Sequence, residues 1–428
     1  MSVRSACVLT LQKILEEKVF FSTLKDAFRP NDKAFANFLI LTALRRKPVI
    51  DRLLNTLLSK KIPNKNKVLT YVLLLGAVEL LYSQTPDYAV INEYVAIAKK
   101  LTDVFSSRMV NAVLRKVALK KAEMQNTCAF PEGFKQILKQ DYTPSQIAQM
   151  ESMLCMEAPI DLTVKESPEI WAKKLNGILF ENGTVRLPAL KTGIESSEGF
   201  KEGCWWVQDL AASLPVCLMP NIAGKKVLDL CAAPGGKTAQ LLSKGAVVTA
   251  VDISPERLNT LKENVSRLNF NQNLSVICAD GLLFLQNTKD KFDFILLDAP
   301  CSATGTFRKH PEVMYFKTLE DVKKQTNIQQ KLLFEAAKHL KKEGILIYAT
   351  CALSKVEGEE QVKQFLAQHP DFALLPLSTT LFQIYPAKKL DEGIIDKQVL
   401  RTLPYHNKND GGADGFFAAA FRRINNGE

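Results

Sequence analysis

The chain has 428 residues, too many for one hydrophobic core, so two or three domains are expected. Its apolar fraction of 46% and charged fraction of 24% are those of a water-soluble globular protein. No apolar run reaches the roughly 18 residues of a membrane span, and no secretory leader pattern opens the chain, so a cytoplasmic protein with no membrane partner is expected. The net charge of +11 is unevenly placed: residues 1–150 hold 23 Lys+Arg against 12 Asp+Glu, while residues 151–428 hold 33 of each. A neutral small-molecule substrate gives no reason for that asymmetry. A polyanion does, because each cation placed on a phosphate releases a condensed counterion, and nucleic-acid binding is favoured over a merely solvated lysine-rich face.

Residues 1–122 read as helical. Lys33–Arg46 sets Phe35, Phe38, Leu39, Leu41 and Leu44 near a 3.6-residue period, and Val68–Tyr82, Ala89–Leu101 and residues 108–121 behave alike. An all-α bundle over residues 1–125 is expected. A polar stretch near Glu123–Gly133 ends it, and residues 126–203 are expected to form a small α+β linker domain, with a helix near Pro144–Met156, a strand at Ile160–Val164 and a further piece at Gly177–Leu187.

From Lys225 the rhythm changes. Short apolar runs (Val227–Leu230, Val247–Val251, Ser275–Cys278, Phe292–Leu297, Gly344–Ala349) alternate with helical stretches (Lys237–Ser243, Pro255–Leu268, Glu320–Leu340, Glu357–His369). That alternation predicts an α/β fold over residues 204–428, with a doubly wound, mostly parallel sheet. Ligands in such sheets sit outside the carboxyl ends of the strands, so the residues just after each run carry the chemistry.

After the first run comes Asp229-Leu230-Cys231-Ala232-Ala233-Pro234-Gly235-Gly236-Lys237-Thr238. Its paired glycines let backbone approach a ligand, but the spacing is neither the dinucleotide nor the phosphate-loop pattern. Asp252 follows the second run, placed to accept from ribose hydroxyls, and Asp280 follows the third, placed to accept from an adenine amino group. Alone, each acid reads equally well as a helix N-cap. Together, three strand ends in register describe an adenosine site, and the absence of a phosphate cradle favours S-adenosylmethionine.

Nine cysteines are scattered without a C-x-x-C pair among four histidines, so no metal site is expected, and reduced thiols fit best. Two of them, Cys301 in Asp298-Ala299-Pro300-Cys301 and Cys351 in Thr350-Cys351, follow the fourth and fifth runs. Strand-end loops facing one pocket are poor places to bury inert thiols. Carbon 5 of cytosine is a weak nucleophile that becomes enamine-like once a thiolate adds to carbon 6, after which the carbon 5 proton must leave and the thiolate be expelled. One thiol suits addition and a second group must assist release. A thiol with an unperturbed pKa of roughly 8.5 needs nearby positive charge, from Lys237 or the cofactor sulfonium. Asp298, protonated or sharing a proton with cytosine N3, is placed to stabilise charge on the ring.

At these residues the chain resembles the RNA cytosine-5 methyltransferases of the Sun family, in its bacterial ribosomal-RNA branch. The likeness is carried by Val227–Thr238 (VLDLCAAPGGKT), Asp252, Cys278-Ala279-Asp280, Leu296–Glu312 (LLDAPCSATGTFRKHPE), Tyr348–Leu353 (YATCAL), Asp414–Arg423 (DGFFAAAFRR) and Trp206–Leu214. Lys33–Arg46 and Val110–Arg115 resemble the NusB antitermination-factor domain of the ribosomal-RNA members. The resemblance implies a Rossmann-like S-adenosylmethionine-dependent methyltransferase domain behind a NusB-like RNA-binding domain. It implies small-subunit (16S) ribosomal RNA as substrate, with Cys351 as the nucleophile on carbon 6 and Cys301 acting in proton removal and release. It implies cofactor binding by Cys231, Ala232, Ala233, Pro234, Gly235, Gly236, Lys237, Asp252, Asp280 and Asp298, with Asp298 also reaching the base. The residues alone do not order the two thiols; the family does. Two departures stand out: Ala303 occupies a position where the family usually has glycine, and Lys355–Glu360 only loosely matches its acidic run.

Rival readings predict other features. A methyltransferase-fold RNA-binding scaffold would have lost one or more of Asp252, Asp280, Asp298, Cys301 and Cys351, and all are present. An amino-group methyltransferase would carry an Asn/Asp-Pro-Pro-aromatic turn and no second cysteine. A nicotinamide dehydrogenase would need a different glycine spacing. Another RNA, such as tRNA, stays open as substrate. The target cytosine is expected to be flipped or looped, because a thiol cannot reach carbon 6 inside a stacked helix. A monomer is the default expectation.

Overall fold

The computed structural model describes residues 2–187, 193–377, 387–396 and 398–424, apart from the side chains of Glu392 and Asp396. The described chain divides into two compact units, one of residues up to 157 together with 307–318, the other of residues 158–306 together with 319 onward. No helix among the described residues is long and apolar enough to cross a membrane.

The first unit is helical. Helices Val3–Glu17, Lys33–Leu57, Val68–Tyr82, Asp87–Leu101 and Val104–Ala118 form a bundle. Val68–Tyr82 is apolar around nearly its whole circumference, so it runs through the centre, with Leu73, Leu74, Leu75 and Val78 fully buried. Its one acid, Glu79, is buried but satisfied by Arg4 Nε at 2.9 Å, Arg4 Nη2 at 2.5 Å and the Tyr94 hydroxyl at 3.1 Å. Lys33–Leu57 runs a further three turns past its expected end at Arg46, straight through Pro48. Two shorter helices follow, Glu132–Leu138 and Pro144–Ser152, the second opened by a capping box between Thr143 and Gln146.

The segment 307–318 joins this unit although it lies far along the chain. Phe307 packs edge-on to Phe130 with centroids 5.0 Å apart, the Tyr315 hydroxyl donates to the Leu44 carbonyl at 2.6 Å, and Arg45 Nη2 donates to the Arg308 carbonyl at 2.8 Å. One expectation is corrected here: Cys128 and Cys155 form a disulfide rather than remaining reduced. They lie 27 residues apart and meet because the chain entering the first short helix lies beside the end of the second, held by Phe130 N–H donating to Glu151 Oε1 at 2.7 Å. Only the fold creates that proximity.

The second unit holds two sheets. Strands β1 (Ile160–Val164), β2 (Ile178–Leu179), β3 (Thr184–Leu187) and β4 (Trp205–Val207) pair antiparallel in the order β2-β3-β1-β4. A buried ion pair, Arg186 Nε to Asp161 Oδ1 at 2.6 Å, fixes this sheet, and Asp161 Oδ2 also accepts from Leu210 N–H at 2.9 Å.

The larger sheet comprises β5 (Lys226–Leu230), β6 (Val247–Asp252), β7 (Leu274–Cys278), β8 (Phe292–Asp298), β9 (Leu340–Thr350), β10 (Phe372–Leu374), β11 (Ile395–Asp396), β12 (Val399–Thr402) and β13 (Phe416–Arg423). Its order is β11-β12-β13-β9-β8-β5-β6-β7, with β10 paired to β13. The five strands β5 to β9 are parallel, each within a few residues of its expected run, and β10 to β13 add an antiparallel edge. Helices Gly236–Ser243, Pro255–Arg267, Gly281–Asn287, Leu319–Lys338 and Glu359–Gln368 provide the crossovers and faces.

Candidate active site

β5 has β6 on one side and β8 on the other, so the chain winds away in opposite directions between β5 and β8, and a crevice opens at their carboxyl ends. The turn Cys231–Gly235 leaves β5 there. Cys231 (φ 60°) and Gly235 (φ 99°) both take left-handed backbone, and a Cβ on Gly235 would meet Leu261 Cγ at 2.7 Å, so only glycine fits. Beneath the turn, Asp229 is completely buried and accepts from the Thr238 hydroxyl at 2.6 Å; burial pushes its carboxyl up to about 7. Burial likewise raises the Cys231 thiol.

Asp252 ends β6 with both oxygens engaged, Oδ2 by Ala233 N–H and Oδ1 by Ser254 N–H, each at 3.0 Å. It holds the glycine turn in place, aided by Arg257, which donates to the Ala233 carbonyl. Asp280 ends β7 as the N-cap of helix Gly281–Asn287, its Oδ1 accepting from Leu282 N–H at 2.9 Å and Leu283 N–H at 3.0 Å. Ser254, not Asp252, caps the helix at Pro255. The structure therefore places both acids at the crevice rim, as turn-holding groups. Nearby, Ile253 just after β6 and Leu283 in the first turn of the helix after β7 are left 66% and 58% exposed.

Lys237, on the first turn of the helix after β5, is almost buried and donates to Asp298 Oδ2 at 2.8 Å, while its ammonium lies 4.7 Å from the centre of the Phe416 ring. The β5 turn and the β8 end are thus joined by a charge-assisted bond. Three residues on, Cys301 meets Cys351 from the β9 end, with sulfurs 3.3 Å apart. The hydrogen bond with Cys351, followed by burial, holds the Cys301 thiol well above its ordinary range. Either sulfur can donate in this S–H···S contact.

All the sequence-nominated residues lie on this one rim. Residues the sequence reading passed over also sit here. Phe416 lay within the quoted DGFFAAAFRR run but had no role, because only the antiparallel pairing of β13 with β9 brings its ring over Lys237. Gly305 and Gly415 stack backbone on backbone, and a Cβ on Gly305 would meet the Gly415 carbonyl oxygen at 2.0 Å. Glu357 reaches back beneath the Cys301 loop.

The family described as 16S rRNA methyltransferase RsmB/F matches residues 216–422, and the NusB family matches residues 1–119. The ribosomal RNA small subunit methyltransferase B of Vibrio cholerae is 31% identical over 400 residues, covering 88% of this chain and 91% of that protein. The protein of the same name from Serratia proteamaculans is 32% identical over 398 residues, covering 87% and 92%. Among solved structures, PH0851 superposes with a TM-score of 0.77 at 20% identity over 99% of both chains, which is a likeness of fold. A methyltransferase homologue from Pyrococcus horikoshii superposes at 0.54 with 25% identity, over 69% of this chain and all of that one.

Proposed function

Since the chain belongs to the RsmB/F family of 16S ribosomal RNA methyltransferases, we propose that it methylates carbon 5 of a cytosine in small-subunit ribosomal RNA by two-thiol covalent catalysis. The coarse activity, S-adenosylmethionine-dependent methylation of ribosomal RNA, follows from family membership. The observation that carries the finer reading is the pair of thiols 3.3 Å apart at the ends of adjacent parallel strands β8 and β9.

The crevice suits the cofactor by the chemistry of its lining. The glycine turn is open on its outer face, where a Cβ on Gly236 would meet nothing closer than Gln208 at 3.7 Å. Ile253 and Leu283 offer apolar flanks for a purine, with the Asp252 and Asp280 carboxylates beside them. Residues Cys231 to Lys237, Asp252, Asp280 and Asp298 would hold S-adenosylmethionine, which when bound supplies an electrophilic methyl group.

The remaining chemistry belongs to the chain. Cys351 adds to carbon 6 of the cytosine, and Asp298, tethered by Lys237, steadies charge and proton at the ring edge. The hydrogen bond with Cys351 and then burial raise the Cys301 thiol in the free enzyme. Bonding of the Cys351 sulfur to carbon 6 removes its hydrogen bond with Cys301, the first cause of the raised Cys301 thiol, and Cys301, once its own proton has passed to solvent, takes the carbon 5 proton as a thiolate. Loss of that proton lets Cys351 depart. The basic helical unit, rich in Lys and Arg, supplies phosphate contacts.

The test is transfer of labelled methyl from S-adenosylmethionine to 16S ribosomal RNA, followed by digestion to nucleosides. Label in 5-methylcytidine is expected; label in an N-methylated base or a ribose, or no transfer at all, would overturn the reading.

A further inference from the structure

Buried beneath the two thiol loops is a carboxylate that the reaction outlined above does not use. Glu357 has no exposed surface. Its Oε1 accepts from Ser302 N–H at 2.8 Å and from Gln329 Nε2 at 3.0 Å, and its Oε2 accepts from the Ser302 hydroxyl at 2.5 Å. Gln329 Nε2 also donates to the Pro300 carbonyl at 2.9 Å. Ser302, just after Cys301, is therefore bonded to this carboxylate directly, and Pro300, just before it, through Gln329. Glu357 itself lies six residues beyond Cys351, and its carbonyl accepts from the Tyr348 hydroxyl of β9 at 2.7 Å. Two further bonds stitch the loops together: Leu353 N–H donates to Thr304 Oγ1 and Gly305 N–H to the Cys351 carbonyl, both at 2.9 Å.

We propose that Glu357 is the positioning residue of the two-thiol site, setting the Cys301 loop against the Cys351 loop so that the sulfurs meet. This rests on the two-thiol reading and deepens it. A buried carboxylate is costly to desolvate, and a loop clamp alone needs only neutral acceptors. Two features favour a carboxylate here. As an acceptor-only group it takes three donors without presenting an N–H to any of them, which a glutamine amide cannot do. Its charge also bears on Cys301. The groups facing that thiol are Cys351 and Glu357 from the loop after β9, Tyr348 from β9, and the Asp298–Lys237 pair at its own strand end. Among them Glu357 opposes ionisation of Cys301.

The experiment compares wild type, Glu357→Gln and Ser302→Ala in the full chain. It measures methyl transfer to ribosomal RNA and, separately, the rate at which iodoacetamide alkylates Cys301 across pH, read peptide by peptide. Glu357→Gln is expected to lower kcat about a hundredfold, the order of loss for a reacting group displaced by about 1 Å, with KM for S-adenosylmethionine within about twofold. Its Cys301 alkylation is expected to begin at lower pH than in wild type. Ser302→Ala keeps the carboxylate but loses part of the anchor, so kcat falls while the alkylation profile stays in place; it also decides the matter should Glu357→Gln fail to fold. Wild-type kcat in either folded variant, or an unmoved alkylation profile in folded Glu357→Gln, overturns the proposal. Alkylation requires no substrate, so a wild-type protein that makes no 5-methylcytidine would defeat the two-thiol reading while leaving Glu357's hold on Cys301 separately measured.

Discussion

Lys237 and Asp298 are tied by a bond of 2.8 Å between Nζ and Oδ2, which couples the cofactor turn after β5 to the strand end that leads into Cys301. The lysine is nearly buried and the aspartate about one-third exposed on its side chain, so the bond is partly shielded from water. Lys237→Met keeps the length and removes the charge. It is expected to lower kcat by about 100-fold, the range seen when one preorganised donor is lost from a site. Stability should fall by about 1–3 kcal/mol, because Asp298 is left without its cation. Steady-state kinetics and thermal denaturation check both, and an unchanged kcat would remove Lys237 from the mechanism.

Asp229 makes a prediction about pH. Burial lifts its folded-state carboxyl from 3.8 to about 7, so between these values the folded chain holds a proton that the unfolded chain has released. The contribution of this group to stability is therefore greatest at low pH and is lost as pH rises towards about 7, levelling off above. Asp229→Asn leaves the Thr238 hydroxyl an acceptor and abolishes the titration. The difference in Tm between wild type and Asp229→Asn should widen from pH 5 to pH 7 in favour of the variant. A difference that stays flat over that range would contradict the assignment.

Ala303 stands in left-handed backbone at φ 56°. A Cβ in that region costs roughly 1–2 kcal/mol, partly offset by the greater unfolded-state entropy of glycine. Ala303→Gly is expected to stabilise the protein by about 0.5–1 kcal/mol, measured by denaturant unfolding. No gain, or a loss, would show that the loop gains more from the methyl group than it spends on strain.

The parallel strands were readable because each is a short apolar run between turn residues, and the rim residues followed from asking what stands after each run. What escaped prediction depends on contacts between distant segments. β10, β11 and β12 are two to four residues long, too short to show a period. Residues 307–318 lie between the Cys301 motif and the helix expected from Glu320, with no local signal of where they pack, and Phe307, Arg308 and Tyr315 are claimed by the helical unit through Phe130, Arg45 and Leu44. The meeting of Cys128 with Cys155 is of the same kind. Glu357 sits in KVEGEE among Glu359 and Glu360, and nothing local marks which acid turns inward; Glu359 instead pairs with Arg401. In sequence Asp252 and Asp280 fit caps and ligand acceptors equally, and the backbone bonds at their oxygens show how one carboxylate holds a turn at the rim.

The central claim is that Cys351 attacks the base and Cys301 releases it. The most direct measurement incubates wild type, Cys351→Ala and Cys301→Ala with 16S ribosomal RNA and labelled S-adenosylmethionine, then resolves the products under denaturing conditions. The account predicts no methyl transfer and no adduct from Cys351→Ala, and a denaturation-resistant protein–RNA adduct carrying methyl label from Cys301→Ala. Full transfer by Cys351→Ala, or an adduct that forms only when Cys351 is missing, would contradict it.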